Sequence, residues 1–332
     1  MTNKNNHKKV KSNNKENDDI NKVTKNQEDM ELIMEEILEL LQLNISYNKQ
    51  ISEIEYITNQ IDINYPILHL SLASTTLKYN QNNYIITPKG LENSKRGGKD
   101  GIVLFGYERR NKNDNLNNGI IYNNLNSEAK NEIEESEDFL LNDFVFPIEE
   151  KENNNGLYEF PTFVIYFNTK DKNYYIKDFN NGVGALMKIK KYKIERNTLI
   201  NIGSNYLVVD LENNKIIIKI FNQTILENNT TKNKGKNCDM KEFSLDKNKN
   251  IFISIGRSQK CDIAINEDML SKLHSCIKYN DKDKSFYLYD GDSKKESTNG
   301  TWVFIPNPIQ ITDNFTFKAE HTLFIANITN NK

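Results

Sequence analysis

Hydrophobic and polar positions divide this chain into three stretches with different periods. Residues 1–27 carry almost no large apolar side chains. Such a segment cannot bury enough surface to offset the entropy of ordering, so it is expected to be a disordered tail. Over 28–62 the apolar positions Met30, Ile33, Ile37, Leu40, Tyr47, Ile51, Ile54 and Ile61 advance by alternating three- and four-residue steps, with Asn44 and Thr58 filling the two gaps. This is the seam of an amphipathic helix with acidic flanks. The run Asn44-Ile45-Ser46-Tyr47-Asn48 is poor helix material and marks a place where the helix could divide. Two readings stay open: a short coiled coil that pairs two copies of the chain, or a helix folded onto its neighbouring domain.

From Tyr65 onward the helical period disappears. Short runs rich in Ile, Val, Tyr and Phe alternate with Asn, Asp, Gly and Lys turns, as in Ile102-Val103-Leu104-Phe105 and Lys215-Ile216-Ile217-Ile218. Many short strands between turn signals predict an all-β sandwich or barrel. The polar stretches 108–138 and 226–240 are expected to be loops inserted between strands.

A repeat runs through this β region. Ile102–Gly106 matches Ile251–Gly256, Asp143-Phe144-Val145-Phe146 matches Asp262-Ile263-Ala264-Ile265, and Tyr174-Tyr175-Ile176-Lys177-Asp178 matches Phe286-Tyr287-Leu288-Tyr289-Asp290. The order is kept and each last member leads into a Gly-containing turn. Two copies of one all-β unit are expected in tandem, at 65–210 and 211–330.

Composition narrows the function. Charged residues are 27% of the chain, and 44 Lys+Arg against 46 Asp+Glu leave a formal charge of −2. That balance creates no overall field for nucleic acid or an anionic membrane, so recognition of a phosphate has to come from a local set of donors. The three cysteines (Cys238, Cys261, Cys276) form no CxxC pair and no zinc spacing with the four histidines, so no metal is expected and a reducing compartment is. No apolar run approaches membrane-spanning length. A soluble intracellular protein, nuclear or cytoplasmic, is expected. No P-loop, HExxH, kinase loop or nucleophile elbow is present, so neither catalytic residues nor cofactors are assigned and the chain is read as a non-enzyme.

The second copy carries one concentrated set of polar residues: Gly256-Arg257-Ser258, then Ser271-Lys272-Leu273-His274, then Ser297-Thr298-Asn299-Gly300-Thr301-Trp302. Each falls at a strand end or turn, so a rigid scaffold can present them together. A guanidinium binds phosphate bidentately and keeps its charge. Hydroxyls add neutral donors, and a side-chain amide can hold a peptide backbone.

This arrangement resembles the forkhead-associated (FHA) domain family, by motif over about 250–303 and by strand pattern over about 211–330. The resemblance implies a β-sandwich that binds phosphothreonine peptides. It implies that Arg257 and Ser271 are phosphate ligands, that Lys272 is an auxiliary contact where the family more often has Arg or Asn, and that Thr298 and Asn299 meet the phosphorylated residue and the peptide backbone. It assigns Gly256 and Gly300 to turns and His274 to a structural role. Lys294 and Lys295 would favour an acidic residue downstream, or are a solvated basic turn. The first copy departs at every ligand position: Tyr107 follows Gly106, Tyr158-Glu159-Phe160-Pro161 stands in place of Ser-x-x-His, and Asn181-Gly182-Val183-Gly184 lacks the Thr-Asn pair. The leading expectation is an adaptor for phosphothreonine-containing proteins. The alternative is a scaffold whose FHA-like folds bind partners without regard to phosphorylation.

Overall fold

The computed structural model describes residues 46–56, 65–94, 100–107, 142–147, 161–180, 184–212, 215–222, 238–244, 251–292 and 294–330. The expected tail 1–27, most of the helical segment 28–62 and the loop 108–138 lie outside these residues. The part of the helix that is described, α1 (46–56), includes Ser46, Tyr47 and Asn48; Asn44 and Ile45, the rest of the expected weak point, lie outside the described residues. Its positions Tyr47, Ile51 and Ile54 are buried, following the expected three- and four-residue steps.

Everything else described is β or connecting loop. In chain order the strands are β1 (Ile67–Thr75), β2 (Asn83–Thr87), β3 (Gly90–Leu91), β4 (Ile102–Tyr107), β5 (Phe144–Phe146), β6 (Pro161–Asn168), β7 (Asn173–Asp178), β8 (Leu186–Ile189), β9 (Lys191–Lys193), β10 (Thr198–Ile202) and β11 (Asn205–Glu212). They continue as β12 (Lys215–Asn222), β13 (Asp239–Ser244), β14 (Phe252–Gly256), β15 (Ile263–Ala264), β16 (Ser275–Asn280), β17 (Ser285–Asp290), β18 (Thr301–Phe304), β19 (Ile309–Gln310), β20 (Phe315–Ala319) and β21 (Thr322–Thr329). The stretch 226–240, expected to be loop throughout, already enters β13 at Asp239.

Some strands of the two stretches matched in sequence share local geometry. Strands β7 and β17 share one alternation of half-buried and buried residues, and so do β11 and β21. In the first half β4 runs parallel to β5, with Phe105 opposite Phe144, and the Leu104 N–H donates to the Asp143 carboxylate at 2.8 Å. In the second half β14 runs parallel to β15, with Ile255 opposite Ile263, and the Ser254 N–H donates to Asp262 at 2.8 Å.

The strand pairing does not divide where the sequence repeat does. The expected boundary at residue 210 falls inside β11, and each half is completed by strands from the other. One five-stranded sheet is β5-β4-β6-β7-β19, so β19 from the end of the chain closes the first half. The other is β15-β14-β16-β17-β9, in which β9 closes the second half. A single eleven-stranded sheet, β13-β12-β11-β10-β18-β8-β20-β21-β1-β2-β3, backs both. Its centre is the antiparallel pair β8–β18, with Met187 opposite Val303. The hairpin β10–β11 adds to β18 and β12, and the equivalent hairpin β20–β21 adds to β8 and β1. The chain thus performs within itself the exchange that domain swapping performs between two molecules.

The two hairpins differ at their turns. At the β10–β11 turn Gly203 has φ +57, and a Cβ built there would lie 2.4 Å from the Glu267 carboxylate. Ser204 donates its N–H to that carboxylate at 2.9 Å, and the Asn205 amide donates to its other oxygen. The β20–β21 turn has Glu320 at its own positive-φ position. Placed against Glu267, that hairpin would bring a side chain and a second acid where the fold has room and donors.

Packing follows the exchanged arrangement. Phe324 of β21 stacks on Phe317 of β20 with ring centroids 4.8 Å apart and meets Phe105 and Phe146 of the first five-stranded sheet edge-on. On the other side Ile253, Ile255, Ile277 and Leu288 share a core with Ile200, Leu207, Val209 and Val303. At the junction Lys318 lies 4.8 Å from the Trp302 ring and donates to Asn201, and burial draws its pKa down to about 8.

The register makes the exchange testable. Lys193 faces Tyr287 across the β9–β17 pair, and antiparallel partners about 4.5–5.5 Å apart at Cα suit a disulfide. A chain-continuous arrangement would instead place Lys193 opposite Tyr175, which here faces Gln310. In a Cys238→Ser/Cys261→Ser background, Lys193→Cys with Tyr287→Cys should cross-link on oxidation. Lys193→Cys with Tyr175→Cys should stay reduced; the reverse pattern on mass spectrometry would refute the topology.

Candidate functional site

Three loops of the second half converge beside the Thr301 end of β18. The first follows β14. Gly256 has no room for a side chain, because a Cβ there would sit 2.5 Å from the Lys272 carbonyl oxygen and 2.9 Å from the His274 nitrogen. That close approach lets the Arg257 and Ser258 N–H groups donate to the carbonyls of Ser271 and Lys272 at 3.0 and 3.1 Å. The loops after β14 and before β16 are thereby stitched by backbone, which fixes where the Arg257 side chain leaves the fold.

His274 joins the second loop to the third. It is fully buried. The Ser271 N–H donates to its Nδ1 at 3.2 Å, so the ring's own proton is on Nε2, which donates to the Gly300 carbonyl at 3.1 Å. Burial holds its pKa below the ordinary 6.5, with smaller opposing contributions from the Gly300 carbonyl and the nearby acids. The histidine is a neutral brace.

The third loop, between β17 and β18, is organised by Asp290. This buried carboxylate accepts from the Ser297 N–H at 3.0 Å, the Ser297 hydroxyl at 2.6 Å and the Thr301 hydroxyl at 2.7 Å. Ser297 Oγ in turn accepts the Gly300 N–H at 2.9 Å. Gly300 has φ +78, and a Cβ on it would meet the Lys188 side chain at 2.6 Å. The chain reverses there, and Thr298 and Asn299 are left at the exposed crest.

The residues singled out from sequence come together as follows. Ser271 Oγ accepts the Thr298 N–H at 3.1 Å and lies 3.3 Å from the Thr298 hydroxyl. Asn299 donates its amide to the Met269 carbonyl at 2.7 Å. Arg257 reaches Asp268, with Nη1 3.2 Å from Oδ1. Lys272 is exposed on the same loop as Ser271. Lys294 and Lys295 point to solvent while their N–H groups donate to Asp292 at 2.8 and 2.7 Å. Sequence reading missed the Asp290–Ser297–Thr301 network and the two loop acids Glu267 and Asp268. Asp290 had a signal, its match to Asp178 in the repeat; the loop acids had none.

The first half differs at the same places. Where a Cβ on Gly256 would meet backbone, one on Gly106 would meet the Asn142 amide at 2.5 Å, and that amide donates to the Tyr107 carbonyl. Thr162 donates its hydroxyl to the Phe105 carbonyl, where the second half uses the His274 N–H. Asp178, the counterpart of Asp290, accepts only the Ala185 and Asn180 N–H groups among its described bonds, and burial pushes its pKa up to about 7. Tyr158 to Phe160, Asn181 to Val183, and the arginines 96, 109 and 110 lie outside the described residues.

A cavity of about 250 Å³ sits where the β9–β10 turn meets the chain leaving β18, lined by Tyr192, Arg196, Phe304 and Pro306 among others. It contains none of the residues above. Among the described residues no cluster of potential metal ligands occurs and no helix is long and apolar enough to cross a membrane.

The sandwich and its convergent loops define an interaction module. Residues 253–318 match the family model of the FHA domain. FHA domains bind phosphorylated protein partners and mediate protein–protein interaction; they are not catalytic modules. The match runs from β14 into β20, so it includes β19 and β20, which here pair with the first half. No curated protein and no solved structure matches the chain.

Two outcomes test this local architecture. Gly256→Ala should destabilise the chain by about 1–3 kcal/mol in urea denaturation, because backbone rather than a movable side chain blocks the new methyl. For His274 the folded pKa lies below the unfolded one, so its contribution is complete above pH 6.5 and is lost as pH falls through the folded value. Denaturation midpoints should therefore fall as pH drops below 6.5, and His274→Gln should flatten that slope.

Proposed function

We propose that the chain is an adaptor that binds phosphothreonine peptides through the loops of the second half. The observation that carries this reading is the joint exposure of the Arg257 guanidinium, the Ser271 and Thr298 hydroxyls and the Asn299 amide on three loops braced from below by His274 and Asp290. Arg257 supplies a permanent charge and a planar fork for two phosphate oxygens. Ser271 and Thr298, 3.3 Å apart, supply hydroxyl donors for the third. Lys272 adds a flexible charge at the rim. Asn299 exchanges its bond to the Met269 carbonyl for the peptide backbone, a swap between similar partners that costs little.

Threonine is favoured over serine where its γ-methyl is fitted, and one methyl in a fitted pocket gives roughly a 10- to 200-fold preference. The first half, with tyrosine after its glycine and no Ser-x-x-His or Thr-Asn elements, acts through its strands: it completes the second half and receives completion in return. Three cysteines without paired spacing suit a reducing intracellular setting.

Fluorescence anisotropy with phosphothreonine, phosphoserine and unmodified peptides from an oriented library tests the reading. Arg257→Ala should weaken phosphothreonine binding by about 100-fold, as loss of charge-assisted hydrogen bonds predicts. Binding that survives in Arg257→Ala, or that ignores the phosphate, would favour a phosphorylation-independent scaffold.

A further inference from the structure

Strand β9 is an open sheet edge with a defined chemistry. Among the described residues it pairs only with β17, at one end of its five-stranded sheet. The Asp290 N–H donates to the Lys190 carbonyl at 3.1 Å, and the Ile194 N–H donates to the Phe286 carbonyl at 2.9 Å. Bonded positions alternate along an antiparallel ladder, so the backbone N–H and C=O groups of Lys191 and Lys193 face away from β17, toward the open side. Both lysine side chains are exposed on the outer face, where Lys191 Nζ lies 4.2 Å from the centre of the Tyr287 ring. Tyr192, between them, turns to the opposite face and packs against the core. There it lines the cavity of about 250 Å³ together with Leu199, Val303, Phe304 and Pro306. The neighbouring acids Glu296 and Asp210 are already paired with Lys190 and Arg196. The edge also begins beside the candidate site: Lys190 is bonded to Asp290, which organises the third loop, and Ile189 lies opposite Thr301. From there β9 runs away from the loops toward the cavity.

We propose that β9 takes up, as an added strand, the part of the partner that flanks its phosphothreonine: an extended segment with acids at alternate positions and an apolar side chain between them. The inference rests on the phosphopeptide reading above and adds a second contact surface to it. The open N–H and C=O groups of β9 give such a segment its backbone partners. Alternate residues of an extended chain are about 6.5 Å apart, the spacing of Lys191 and Lys193, so successive acids of the segment meet successive ammonium groups. The residue between the acids faces the Tyr192 side and enters the apolar part of the cavity, where Glu195 in the lining disfavours a further acid. A basic or featureless flank gains neither contact.

Fluorescence anisotropy on the full chain tests this with a short phosphothreonine peptide selected from an oriented library. The same peptide is extended on either side by Glu-Leu-Glu through Gly-Ser linkers of about two to six residues. The best Glu-Leu-Glu extension should tighten binding about tenfold, as cross-strand ion pairs and one fitted side chain would after ordering costs. A Lys-Leu-Lys extension should give no gain. Lys193→Gln removes a charge and should lose part of the gain. Lys193→Pro also removes the outward N–H, without breaking the ladder to β17, and should lose nearly all of it. Lys241→Gln, on the open edge strand β13, should keep the gain in full. Circular dichroism and an unchanged affinity for the short peptide confirm that each variant is folded; should Lys193→Pro fail this check, Lys193→Gln and the Lys-Leu-Lys extension decide. If the short peptide binds but no Glu-Leu-Glu extension tightens it, or if the gain survives in a folded Lys193→Pro, the edge role is overturned and the site reading stands. If the extended peptide binds equally with threonine in place of phosphothreonine, the edge contact stands and the phosphate reading falls. If neither peptide binds, both readings fall.

Discussion

A β-strand with an open edge leaves a row of N–H and C=O groups that need partners. In this chain β8 and β18, equivalent strands of two repeated halves, meet that need by pairing with each other. The rest of the architecture follows from this contact. Once β8 and β18 lie side by side, the two halves share one eleven-stranded sheet. The strand that follows each then continues into the other half: β9 joins β17 and β19 joins β7. Neither half keeps a full complement of strands from its own repeat, so stability is expected to be cooperative across both.

The candidate site inherits this dependence. Its loops belong to the second repeat, but the acid that anchors the 266–270 loop is held by Ser204 and Asn205 from the first. The crest at Gly300 rests against Lys188 of β8. A half without phosphate ligands thus shapes the half that has them. Beneath the exposed side chains the site is rigid for ordinary reasons: Asp290 gathers three donors, and a neutral His274 ties two loops through both ring nitrogens. Rigid support of this kind lowers the ordering cost of binding.

Much of this was legible beforehand in particular residues. The shift from three- and four-residue steps to short Ile/Val/Tyr/Phe runs at Tyr65 announced the β region, because strand burial follows local alternation. Gly256, His274 and Gly300 pointed to tight, braced loops, and all three occupy positions where a larger or different group would collide or leave a donor unmet. Of the matched pairs, Asp143 and Asp262 cap corresponding backbone N–H groups, those of Leu104 and Ser254, while Asp178 and Asp290 both organise the turn that follows them through different donors. Asp268 was not legible, since an exposed acid on a loop has no periodicity and its partner lies on another loop.

By itself the sequence determined the all-β class, the repeat and the three loop motifs, since each depends on neighbours a few residues apart. Only the tertiary structure decided which hairpin completes which half. The hairpins β10–β11 and β20–β21 have strands of the same lengths, and β11 and β21 share one burial alternation, so the local pattern of these strands does not choose between them. The two turns differ in long-range contacts: the glycine turn donates to Glu267, and the other turn carries an acid, Glu320, at the corresponding positive-φ position.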